Sequence, residues 1–122
     1  MSHIADPRDD TDRIHALIRE VLDDQAPYLD ALADETRRRW TSAERMRQAS
    51  RLTLRAMAVA GRSAAEIREL LARRRGLGLE CYRRGWDLAA EVRNLAEEAE
   101  EESADAIIYW AAEILRGEEG GR

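Results

Sequence analysis

The stretch that decides the fold reads EEAEEESADAIIYW and spans residues 97–110. An α-helix turns about 100° per residue, which sorts this stretch into faces. One narrow stripe holds Glu91, Glu98, Glu102, Asp105 and Tyr109. Beside it runs an apolar stripe of Leu88, Val92, Leu95, Ala99, Ala106, Trp110 and Ile114. The pattern predicts a long C-terminal helix whose acidic residues border a buried seam.

The rest of the chain is built from good helix formers. It has 122 residues, no Phe, and only two prolines, at positions 7 and 27. No stretch alternates apolar and polar residues with the period of a β-strand. We therefore expect an all-α fold of about five helices in an antiparallel bundle. A single domain over residues 11–116 would lie between a flexible N-terminal segment, 1–10, and a flexible tail, 117–122.

Local signals predict where the helices begin and end. Pro27 should end the first helix, which begins at Asp10 or Thr11, or kink it sharply. The sequences TSAE at 41–44 and SAAE at 63–66 are typical of capping boxes, in which a hydroxyl and a glutamate bind each other's backbone N–H groups. Gly76-Leu77-Gly78 should break the helix before it. Asp87 would then cap the last helix, which should run to Leu115.

Composition limits the compartment. Charged residues make up 37% of the chain, and no apolar run approaches the length of a membrane span. The first residues lack the basic and apolar regions of a signal peptide. A single cysteine, Cys81, excludes an internal disulfide. We expect a cytoplasmic protein with no membrane partner.

Charge is distributed in three blocks. Residues 1–36 carry three Arg and ten acids, residues 37–75 twelve Arg and three acids, and residues 76–122 five Arg and twelve acids. The basic middle block would attract nucleic acid or nucleotide phosphates. Alternatively, the blocks neutralise one another when the helices pack antiparallel. The second interpretation is favoured because it needs no partner.

The acidic stripe needs compensation for its like charges. Glu98 and Glu102 are four residues apart, and Asp105 follows three residues later, so neighbouring carboxylates repel one another by roughly 0.2–0.5 kcal/mol per pair. A Mg²⁺ ion would relieve this repulsion, since it prefers carboxylate oxygens and bridges to phosphates. Arginines of the basic block would relieve it without any catalysis.

Residues 101–110, EESADAIIYW, resemble the Glu-x-x-Asp helix of the MazG-like all-α nucleoside triphosphate pyrophosphohydrolases. The resemblance implies a Mg²⁺-dependent enzyme that cleaves a nucleotide into a monophosphate and pyrophosphate. Glu102 and Asp105 would be metal ligands, assisted by Glu98. The family's other acidic motif has its nearest counterparts in Glu66 and Glu69. Further candidate ligands are Glu80 and Glu91.

A second motif lies within the basic block. Residues 53–70 have the sequence pattern of a helix-turn-helix, with an apolar helix, a turn at Gly61 and a capped second helix. The candidate residues for binding phosphate or nucleic acid are Arg62, Arg68, Arg73, Arg74 and Arg75. A plain helical corner with a glycine turn gives the same pattern, so that alternative stays open.

The last helix also carries apolar residues away from the acidic stripe, among them Ile108, Ala111 and Leu115. Apolar residues on two sides of one helix predict a homo-oligomer, with a homodimer as the hypothesis. Three function classes follow. They are a MazG-like pyrophosphohydrolase or a degenerate relative, a non-catalytic helical interaction protein such as a phage or accessory factor, and a nucleic-acid binder acting through residues 37–75.

Overall fold

The computed structural model describes residues 9–81 and 86–120, and the side chains of residues 9–76 and 86–118. Within these ranges there are four α-helices, a short 3₁₀ turn at Leu88–Ala90, and no strand. The helices are α1 Thr11–Arg39, α2 Ser42–Val59, α3 Ala64–Cys81 and α4 Leu95–Gly120. The predicted all-α fold is confirmed, with four helices in the described ranges where about five were expected.

The missing helix boundary is the one expected at Pro27. Residues 11–39 form one helix that continues through this proline. Pro27 lacks an N–H, so the carbonyl four residues earlier loses its helical partner. The apolar face nevertheless continues across it, since Leu22 and Leu29 line the same groove. The helix ends at the second expected boundary, where Trp40 separates α1 from α2.

The corner between α2 and α3 follows the sequence signals closely. The Thr41 hydroxyl accepts from the Glu44 N–H at 3.2 Å, and the Glu44 carboxylate accepts from the Thr41 N–H at 3.3 Å. Ser63 and Glu66 make the same reciprocal pair at 3.1 Å for both bonds. Gly61, between the helices, has φ of 105°, a left-handed conformation that glycine adopts without a Cβ clash. Both predicted capping boxes and the glycine turn are therefore confirmed.

Two predicted boundaries around the last helix are wrong. α3 continues through Gly76 and Gly78 to Cys81, because a glycine costs a helix only about 1 kcal/mol and does not by itself end it. Asp87 caps the 3₁₀ turn, where its carboxylate accepts from the Ala89 N–H at 3.0 Å. The cap of α4 is Asn94, whose side-chain oxygen accepts from the Glu97 N–H at 3.1 Å.

The far end of α4 also differs from expectation, since the helix continues through Gly117 to Gly120, into the segment expected to be a flexible tail. Most of the other expected flexible segment, residues 1–10, lies outside the described residues. No helix in the described part of the chain is both long enough and apolar enough to cross a membrane.

The contacts divide the chain into two compact units. Unit 1 comprises Met1–Glu35 and Asn94–Arg122, and unit 2 comprises Thr36–Arg93. Among the described side chains, the buried apolar ones are Ala111 in unit 1 and Ile67 in unit 2. Each unit therefore has very little core of its own. The single domain over 11–116 stays a prediction.

Candidate functional site

An apolar groove of about 400 Å³ lies in unit 1 between α1 and α4. Its lining residues are Leu17, Ile18, Val21, Leu22, Gln25, Leu29, Ile107, Trp110, Ala111 and Ile114. Gln25 is the one polar member of this set, and its side-chain amide donates to Asp24 at 3.0 Å. We call these residues the apolar groove. It lacks the convergent polar groups with which an enzyme site orients a small substrate.

The apolar groove is open to solvent. Six of its aliphatic and aromatic side chains are between 41% and 55% exposed: Val21, Leu22, Leu29, Ile107, Trp110 and Ile114. Each of these side chains has one side against the chain and one side in water. A continuous exposed apolar surface of this kind is a candidate interaction surface.

The prediction that the acidic residues of α4 border a buried apolar seam is wrong. The groove side of α4 is defined by Ile107 and Ile114, and at about 100° per residue Glu98, Glu102 and Asp105 point roughly 160° away from it. All three carboxylates are exposed. The predicted apolar stripe leaves out Ile107 and Ala111, which line the groove on the side of α4 opposite the acids.

The predicted metal ligands do not converge in the described part of this single chain. Among the described side chains, no group of three or more His, Cys, Asp or Glu residues is placed to hold a metal ion. Glu98, Glu102 and Asp105 belong to unit 1, whereas Glu66 and Glu69 belong to unit 2. The side chain of Glu80 lies outside the described residues. The Mg²⁺ site therefore stays a prediction.

Glu66, one of the predicted metal ligands, caps helix α3. It is the partner of Ser63 in the α3 capping box, and it accepts from Arg62 at 3.3 Å. The backbone and side-chain hydrogen bonds from Ser63, followed by the Arg62 contact, hold the pKa of the Glu66 carboxyl below its usual value. A carboxylate used in this way stabilises the first turn of α3.

A cluster around Glu91 was not predicted from the sequence. The Glu91 carboxylate accepts from Arg93 Nε at 2.8 Å and from Trp86 Nε1 at 2.8 Å. The Arg93 backbone N–H donates to the same carboxylate at 3.0 Å, and the guanidinium lies 6.0 Å from the centre of the Trp86 ring. The Arg93 hydrogen bonds, with a smaller part from Trp86, lower the pKa of Glu91 to about 2. Glu91 therefore links Trp86 and Arg93 within the segment that precedes α4.

The helical corner of unit 2 exposes its arginines. Arg62, Arg68, Arg73, Arg74 and Arg75, the predicted phosphate ligands, are all exposed. Arg62 contacts Glu66, whereas Arg68 and Arg73–Arg75 make no ion pair within the described part of the chain. On α2, Arg47, Arg51 and Arg55 are also exposed. The corner thus presents positive charge that the described residues leave largely uncompensated.

Charge divides along the unit boundary. Unit 1 carries five Arg against nineteen acids, a net charge of −14, and unit 2 carries fifteen Arg against six acids, a net charge of +9. Unit 1 contains nearly all of the first acidic block and, from the second, every acid except Glu80, Asp87 and Glu91. The chain therefore contains one acidic unit with an apolar groove and one basic unit with a helical corner.

No protein-family model, no curated protein and no solved structure matches this chain.

Proposed function

We propose that this protein is a non-catalytic helical interaction protein whose apolar groove is covered by a second copy of the same chain. The observation that carries the proposal is the exposure of the groove, with six large apolar side chains each about half in water. In the paired form, α1 and α4 of both copies would build a four-helix arrangement. Such an arrangement has the enclosed core that two helices lack.

The size of the groove supports pairing. Fully burying a large apolar side chain contributes roughly 1.5–3 kcal/mol, so covering its exposed half contributes about 1 kcal/mol. Six side chains in each of two copies give on the order of 12 kcal/mol. Association costs an estimated 4–15 kcal/mol in lost rigid-body freedom. Burial of the groove in both copies is therefore of the same order as the cost of association.

The placement of the acids favours a second copy in spite of the charge of −14 on unit 1. On α4, Glu98, Glu102 and Asp105 point away from the groove, and on α1 Asp12, Asp23 and Asp30 point roughly 150° from its centre. Pairing through the groove would leave these carboxylates in water. Their mutual repulsion acts through solvent, where salt screens it over about 10 Å at 0.1 M. The dimer should therefore tighten as salt is added.

Amide hydrogen exchange on the full-length chain tests this proposal. Exchange in the groove-lining segments of α1 and α4 should slow as protein concentration rises from about 1 to 100 μM, because pairing closes the groove. Exchange in α2 should not depend on concentration. Exchange that is the same at every concentration would contradict pairing, and protection appearing only with an added heterologous partner would assign the groove to that partner.

A MazG-like pyrophosphohydrolase is the second candidate, supported by the resemblance of residues 101–110. Its ligands would have to be completed by groups beyond Glu98, Glu102 and Asp105, because a two-sided site needs carboxylates that face one another. Pyrophosphate release from a panel of nucleotides with Mg²⁺, measured beside Glu102→Gln and Asp105→Asn, decides the matter. Activity lost in both variants would establish the enzyme. Absence of activity in the wild type would end this candidate.

A further inference from the structure

The basic helical corner of unit 2 is independent of the apolar groove. Residues 42–75, which comprise α2, the turn and most of α3, carry nine arginines and only three acids, Glu44, Glu66 and Glu69. Two of these acids are engaged in capping boxes, Glu44 with Thr41 and Glu66 with Ser63. The local charge is therefore strongly positive although the whole chain is acidic, with a net charge of −5.

On α2 the positive charge forms a line. Arg47, Arg51 and Arg55 are spaced by four residues, so they share one face of the helix at intervals of about 6 Å along its axis. The partly buried residues Ala56 and Met57 lie on the other side of α2. Arg47 and Arg55 make no ion pair within the described residues, and Arg51 contacts only the neutral amide of Gln48, at 3.4 Å.

On α3 the arginines are equally available. Arg68 and Arg75 are seven residues, two turns, apart and share a face. Ile67 is the buried anchor of this helix, which leaves Arg68 exposed beside it. Gly61 and the Ser63–Glu66 box fix the turn that joins the two basic helices. The corner is therefore held by local hydrogen bonds that do not use these arginines.

We infer that unit 2 binds the phosphate backbone of duplex nucleic acid through the arginines of α2 and α3. A line of guanidinium groups on a stiff helix matches a polymer with regularly repeated phosphates, and arginine forms bidentate bonds with phosphate oxygens. Neutralising several phosphates releases counterions and makes the affinity depend on salt. Contacts from arginine to phosphate carry no sequence information, so this binding is independent of sequence. The inference does not depend on the apolar groove.

Fluorescence anisotropy of the full-length chain with labelled 20-base-pair DNA duplexes of two unrelated sequences tests the inference. The titrations run from about 50 to 200 mM NaCl at neutral pH. Two charge variants remove arginines from the corner, Arg47→Gln with Arg55→Gln, and Arg68→Gln with Arg75→Gln. A matched control removes the same charge from unit 1, Arg19→Gln with Arg116→Gln. Circular dichroism checks that all three keep their helix content.

The wild type should bind both duplexes with similar affinity, and its affinity should fall linearly with salt on logarithmic axes. Each corner variant should reduce the slope by about 2 and weaken binding roughly fiftyfold at 0.1 M salt, as expected for two lost phosphate contacts. The control should keep the wild-type slope.

Three results would overturn the inference. They are no binding at 50 mM salt, equal loss in the control and corner variants, or tighter binding to anionic lipid vesicles than to DNA at equal charge concentration. The last result would assign the arginines to a membrane surface. The groove substitution Ile107→Gln should leave DNA binding per copy intact. Loss of DNA binding therefore tests unit 2 alone, and loss of dimerisation tests the groove alone.

Discussion

Replacing Ile107 and Ile114 together with glutamine should disrupt the proposed dimer while leaving α4 helical. The two isoleucines lie two turns apart on the groove side of α4 and are 49% and 50% exposed. Covering the exposed half of each is worth about 1 kcal/mol, and a dimer contains four such side chains, so the double variant loses about 4 kcal/mol of association free energy. The dimer dissociation constant should rise roughly a thousandfold, because each 1.4 kcal/mol corresponds to a factor of ten.

Light scattering after size-exclusion chromatography, over a dilution series, measures this change. The matched control replaces Val59 and Val92 with glutamine, since these valines are 89% and 95% exposed and lie in unit 2, outside the groove. The control should dimerise as the wild type does. An equal loss of dimer in both variants would contradict pairing through the groove, as would a groove variant whose dissociation constant is unchanged.

Three further predictions concern the local structure. Gly61→Ala should lower the free energy of unfolding by about 1–2 kcal/mol in urea titrations, because φ of Gly61 is 105°. Gly76→Ala should raise the free energy of unfolding by up to about 1 kcal/mol, since a Cβ at this helical position meets no atom. Changes of the same sign in the two variants would contradict the role assigned to Gly61. Ser63→Ala should cost about 1 kcal/mol by removing the α3 cap, against a smaller change for the mid-helix Ser50→Ala; equal costs would count against the cap. The Glu91 carboxyl should titrate near pH 2 by NMR, and its pKa should move toward the usual 4.5 in Arg93→Gln. Because the pKa of Glu91 is lower in the folded protein, the stabilisation is present above about pH 4.5 and is lost as pH falls toward 2. An unchanged pKa in the variant would show that Arg93 does not cause the shift.

Local chemistry was sufficient to predict the corner of unit 2. The Thr41 and Ser63 boxes and the Gly61 turn depend on residues within four positions of one another, so sequence alone specifies them. Single breakers were less reliable. Pro27 and Gly76 each cost a helix a limited amount, and the long runs of helix formers on both sides continue the helix through them.

The start of α4 and its buried side were both predicted wrongly. Asp87 and Asn94 are both suitable caps, seven residues apart, and the sequence does not say which one begins the long helix. The predicted apolar stripe also left out Ile107 and Ala111, which line the groove beside Trp110. Without these two residues the centre of the stripe lies nearer the acids, because both residues are on the side of the helix opposite them.

The Glu91 cluster and the division of charge by unit could not be predicted from spacing. The bonds of Glu91 depend on the conformation of an irregular connection between helices. The two acidic blocks are far apart in sequence, and only the pairing of the first and last helices assigns most of their acids to one unit.

Isotope-filtered NMR tests whether a second copy covers the apolar groove. A sample that mixes ¹³C-labelled and unlabelled full-length chains reports only contacts between copies. Pairing through the groove predicts intermolecular signals from the Ile107 and Ile114 methyl groups to side chains of α1 or α4 in the other copy. A monomeric sample at millimolar concentration, or intermolecular signals confined to Val59 and Val92 in unit 2, would contradict it.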